Sequence, residues 1–169
     1  FYVTADGNVV FQSVLNGAPA TSDGILCIWL AETGTVVKLA REGDLAPDTG
    51  GLTYGTIHTV GVSDNGNIVL QTILSNGKHG LHRNVGAGFE FLVKAGATDT
   101  VDFGGTPRAI LSIGLYTKTT GTGGGGGGMG SAINDAGDVF AVLSIGAGDY
   151  VARVFRGEVT PAPSRPAIP

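Results

Sequence analysis

Three acidic turns carry the residues with the plainest chemical potential: Asp6-Gly7-Asn8, Asp64-Asn65-Gly66-Asn67 and Asp135-Ala136-Gly137-Asp138. Their carboxylate and amide oxygens are the ligand type that calcium prefers, which makes Asp64, Asn67, Asp135 and Asp138 candidate ligands. Each turn holds only one or two carboxylates and none follows the twelve-residue calcium loop. Ordinary turn chemistry is therefore the expected use, with no metal or other cofactor. His79 and His82 could hold a transition metal with His58, but residues three apart on a strand face opposite sides, so separate histidines are expected. The run Gly121 to Gly130 has the glycine content of a phosphate loop without its Lys-Ser/Thr ending. Ser13, Ser63 and Ser144 lack a nucleophile-elbow setting, and Asp99 with Asp102 has no supporting signal for glycoside chemistry. No catalytic residue is assigned and no enzyme is expected. Trp29, Tyr54, Tyr116 and Tyr150 could stack a sugar ring, although strand aromatics more often pack in a core or across strands.

The same turns organise the chain. Gly7, Gly66 and Gly137 stand where a reversal needs a positive φ, and three residues before them come Thr4, Ser63 and Asn134, whose side chains can bond backbone groups ahead. Each turn feeds an apolar run read as a half-buried strand, and Gln12 and Gln71 recur at one place in the first two copies. Further strands are expected at 25–30, 35–40, 52–62, 80–84, 89–94, 109–117, 150–156 and 159–160. A unit thus holds about four antiparallel strands, the content of a propeller blade.

In these segments the chain resembles the bacterial tandem-repeat family with the pattern Asn-x-x-Gly-x-x-Ala-Phe. The third copy keeps Asn134 and Gly137 but ends Phe140-Ala141; the second has Ser63, Gly66 and Val69-Leu70; the first has Thr4, Gly7 and Val10-Phe11. The segment Ala40-Arg41-Glu42-Gly43-Asp44-Leu45-Ala46-Pro47 resembles the linker of those repeats, and Val93-Lys94-Ala95-Gly96 is its degenerate counterpart. The resemblance implies export or attachment at a bacterial surface, and its motifs carry no catalytic residues.

Thirty glycines with 14% charged residues suit short strands and tight turns, and 42% hydrophobic residues are ample for a core. A net charge of −4 with scattered Lys and Arg gives no footprint for nucleic acid. The single cysteine, Cys27, reads as a small buried residue, and no apolar run is long enough to cross a membrane as a helix. The start at Phe1 without an initiator Met reads as a processed form or an excised piece, and processing fits export.

The expected architecture is all-β: tandem four-stranded antiparallel blade-like repeats, propeller-like and open-ended, with a β-sandwich or barrel as the alternative. One body spans 1–160, with units of roughly 4–62, 63–132 and 133–160, and 161–169 forms a Pro-rich extended tail. Because the first and last units look incomplete, the expected function is an extracellular structural protein that assembles head to tail by edge-strand complementation into a fibre or surface layer. Phe1, Tyr2, Val3, Val159, Pro161, Pro163 and Ile168 are its expected interface, and the partner is another copy of the chain. The alternative is a carbohydrate- or ligand-binding surface domain of a larger β-propeller, with glycans as partners.

Overall fold

The computed structural model describes residues 1–86, 88–96, 100–103, 105–115, 132–146, 148–155 and 158–161. These residues form strands, turns and loops, with no helix among them. The first sheet runs in chain order through β1 (Tyr2–Val3), β2 (Val9–Val14), β3 (Gly24–Leu30) and β4 (Thr35–Arg41). The second does the same through β5 (Tyr54–Val62), β6 (Ile68–Leu74), β7 (His79–Asn84) and β8 (Phe89–Lys94). Each is an antiparallel meander whose neighbours in space are neighbours in sequence.

The third sheet is a closed barrel. It contains β9 (Thr100–Phe103), β10 (Pro107–Gly114), β11 (Val139–Ile145), β12 (Gly148–Phe155) and β13 (Glu158–Pro161), in the order β10-β11-β12-β13-β9. The meander β10 to β13 matches the first two sheets. Strand β9 then pairs antiparallel with β10 and parallel with β13, which joins the two edges. All-β architecture with four antiparallel strands per unit is thus present, and closure of the last sheet accords with the barrel alternative.

The sheets group differently from a turn-to-turn count. Strand β5 leads into the second turn and pairs with β6 beyond it, so it belongs to the same sheet as the strands that follow. The turn acts as the hairpin of that pair. Val3 opposite Val9, Val62 opposite Ile68 and the bridge from Ile133 to Val139 occupy one register in the three units.

Two cores follow from this stacking. Val10, Leu26 and Ala40 of the first sheet pack with Ile68, Leu70 and Leu74 of the second. Val69, Leu81 and Val93 from the second sheet join Val139, Ala141, Leu143 and Val154 of the barrel. Strand β6 has Val69 in one core and Leu70 in the other, as alternation across a strand requires, and six of its seven residues are buried. Full burial of a leucine such as Leu70 contributes about 2 kcal/mol of transfer free energy. The second sheet is therefore the inner layer of three.

Candidate functional site

The three glycine turns are built by the same three hydrogen bonds. The N–H of Thr4, Ser63 or Asn134 donates to the carbonyl four residues on, at Asn8, Asn67 or Asp138, and the glycine N–H donates back to the first carbonyl. The N–H of Asn8, Asn67 or Asp138 then donates to the Oγ1, Oγ or Oδ1 of the first residue, at 3.1, 3.1 and 2.8 Å. A side-chain oxygen in the first place and a positive φ at the glycine, 78°, 87° and 80°, are what this geometry demands.

These turns touch in succession. The Ala5 N–H donates to the Asp64 carbonyl at 2.7 Å. From the second turn, the Asn65 N–H donates to Asp135 Oδ1 and the Asn65 side-chain amide to the Asp135 carbonyl, while Asn67 Nδ2 donates to the carbonyls of Asn134 and Asp135. In each case the donor lies in the earlier turn and the acceptor in the later one. The result is a ladder with a direction.

A second set of bridges lies beside it. Gln12 Nε2 donates to the Ile57 carbonyl of β5 at 3.5 Å, and Gln71 Nε2 donates to the Ile113 carbonyl of β10 at 2.8 Å. Both glutamines stand eight residues after the first residue of their turn, and both reach the strand that leads into the next turn. Gln71 also accepts from the Leu115 N–H. Arg83 pairs with Glu90 and donates through Nη1 to the Gly137 carbonyl at 2.7 Å. Glu42 ties the first two sheets, accepting from the N–H groups of Gly24 and Ile57.

The proposed calcium ligands lie in this ladder. Asp135 and Asn67 bond across turns, Asp138 forms an ion pair with Arg153, and the Asp64 carbonyl accepts from Ala5. The hydrogen bond from Asn134 and then the Arg153 guanidinium hold the Asp138 carboxyl below its ordinary range. Among the described residues no group of three or more His, Cys, Asp or Glu could hold a metal ion.

The histidines separate as strand alternation requires. His79 meets Gln71 and stands edge-on to His58, whereas His82 lies opposite Leu70 on the other face, between the rings of Tyr54 and Phe91. His82 is fully buried and neither ring nitrogen has a hydrogen-bond partner; desolvation lowers its pKa to about 4. Thr72 Oγ1 is likewise buried without a partner.

Of the aromatic candidates, Tyr54 is core, Tyr150 packs on Phe103, and Trp29 is half-buried on the outer face of the first sheet. Ser63 caps its turn, Asp102 accepts from the Gly105 N–H, and Cys27 is buried with its thiol pKa raised by desolvation. A cavity of about 310 Å³ opens between the first two sheets, with Gln12, Asp23 and Glu42 in its walls.

The expected assembly residues divide. Phe1 and Val3 are exposed, but the Tyr2 hydroxyl donates to the Val60 carbonyl and its ring packs against the first core. Val159 is buried, and β13, which includes Pro161, has β12 on one side and β9 on the other. Glu158 and Val159 are thus paired on both sides inside the chain, whereas Thr160 and Pro161 pair with β12 alone. Pro163, Ile168, Tyr116, Asp99 and the glycine run Gly121 to Gly130 lie outside the described residues.

A family model, Family of unknown function (DUF7453), matches residues 1–139, from the first strand through the third turn. The chain belongs to DUF7453. No curated protein and no solved structure matches it. The region of this DUF7453 chain covered by the match includes all three laddered turns and both glutamine bridges. Among the described residues no helix is long and apolar enough to cross a membrane.

Proposed function

We propose that this chain is a non-enzymatic structural protein of the bacterial exterior, a blade-like repeat body that assembles head to tail with copies of itself into a fibre or surface layer. The observation that carries the reading is the directional turn ladder. Donors in each turn meet acceptors in the next, so the three-turn stack has unlike ends, and unlike ends favour heterologous growth into a filament or ring over a symmetric pair. The internal use of β13 moves the expected contact away from the C-terminal strand edge.

The extracellular placement rests on the resemblance of the three turns to exported tandem repeats. Sedimentation velocity over a dilution series of the full chain tests the reading. Head-to-tail growth gives a mass that rises with concentration and continues past a dimer; a single chain at every concentration would refute it.

A second reading is a ligand-binding unit of a larger propeller. The cavity with Gln12 and Asp23 in its walls favours it, since polar side chains lining a concavity are what a small polar ligand needs. Saturable binding on a glycan array, abolished by Gln12→Ala, would support this reading.

A further inference from the structure

The internal packing of the three units follows one rule, which leaves two unlike faces open. At each internal boundary the earlier unit presents the residue six places after the start of its turn, Val10 or Val69. The later unit presents the residues five and seven places after the start of its own turn. These are Ile68 and Leu70 in the second unit and Val139 and Ala141 in the third, none more than 2% exposed.

In the first unit the places of Ile68 and Leu70 are taken by Val9 and Phe11, which are only half-buried. Register carries this face across the sheet: Val3 lies opposite Val9, Val9 opposite Trp29, and Trp29 opposite Val36. Val3 is 61% and Val36 58% exposed. At the far end, the place of Val10 and Val69 is taken by Phe140, 40% exposed, and the place of Gln12 and Gln71 by Val142, opposite Val151, which is 55% exposed. The last unit therefore carries a larger apolar residue in one place and an apolar residue for a polar one in the other. A terminal repeat that ended in water would need a polar outer face. Here the substitutions run the other way.

We infer that the Phe140–Val142–Val151 face of one copy seats on the Val9–Phe11–Trp29–Val36 face of a second copy, continuing between chains the packing seen twice within one. The inference rests on the head-to-tail reading and names its contact: sheet face on sheet face. The partner face is the one that each inner unit already uses to meet its predecessor, so the occupant is a second copy of this chain. The contact is heterologous, and the joined pair keeps one of each face free for further growth.

Complementary blocking tests this on the full chain. Val36→Glu spoils one face and Val151→Glu the other, both at exposed sites, and melting temperatures confirm that the fold persists. Val36→Lys and Val151→Lys repeat the test with the opposite charge. The expected result is that the parent polymerises, each variant alone sediments as a monomer, and an equimolar mixture of Val36→Glu and Val151→Glu gives a 1:1 dimer and nothing larger. If the parent assembles and the single variants do so equally well, or the mixture stays monomeric, the face pairing is overturned while head-to-tail assembly stands by another route. A monomeric parent overturns both.

Discussion

Asn65 grips Asp135 at two points: its backbone N–H donates to the Asp135 carboxylate at 3.1 Å and its side-chain amide to the Asp135 carbonyl at 2.8 Å, across 70 residues of chain. Both residues are exposed, so each bond competes with water and its net worth is about 0.5–1.5 kcal/mol. Asn65→Ala removes the side-chain donor and Asp135→Ala the carboxylate acceptor. Each change removes one bond and leaves the other, so urea unfolding is expected to show two separate losses that roughly add in the double variant. Single variants as stable as the parent would mean that the turns sit side by side without energetic coupling.

Gln71 and Gln12 occupy one repeat position but differ in burial. Gln71 is buried and bonds both the Ile113 carbonyl and the Leu115 N–H, so Gln71→Leu removes two bonds at a buried site and should cost about 3 kcal/mol. Gln12 is exposed and its bond is long at 3.5 Å, so Gln12→Leu should stay within about 0.5 kcal/mol of the parent. Denaturant midpoints compare the pair, and equal losses would contradict the burial argument.

The turn glycines should not tolerate alanine equally. A side chain at positive φ costs about 1–2 kcal/mol, which applies to Gly66→Ala, where an added Cβ would meet Thr4 Cγ2 at an ordinary 3.6 Å. At Gly137 the Cβ would also fall 2.7 Å from Cγ1 of the exposed Val85, which must turn or shift, so Gly137→Ala should lose roughly 0.5–1.5 kcal/mol more. Thermal melts of the two variants rank them. A Gly137→Ala protein as stable as Gly66→Ala would exclude that contact.

His82 makes stability depend on pH. Its folded pKa of about 4 lies below the ordinary 6.5, so the folded state holds the neutral ring while the unfolded chain takes up a proton first. This contribution is fully present above pH 6.5 and is lost as pH falls from there towards 4. The loss at pH 5 should be about 2 kcal/mol. His82→Leu should flatten the profile between pH 7 and 5, and an unchanged slope in that variant would place its source elsewhere.

How much of this was legible in the sequence depends on the range of each interaction. Gly7, Gly66 and Gly137, with Thr4, Ser63 and Asn134 before them, specify their turns through contacts four residues apart, so type and spacing were sufficient. The recurrence of Gln12 and Gln71 marked a position without revealing its partner, because Ile57 and Ile113 are reached only after the sheets stack. No sequence signal marks strand β9. Its four residues alternate too briefly to stand out, and its parallel pairing with β13 joins segments far apart in the chain. That same pairing places Val159 in the core, whereas an apparently incomplete last unit points to an exposed edge there.

Electron microscopy of the purified full chain at high concentration tests head-to-tail stacking most directly. The expected images are filaments or rings in which the Phe140 face of each copy meets the Val9 face of the next and the turn ladder runs on across the contact. Compact particles of one chain, or assemblies in which those two faces point into solvent, would contradict it.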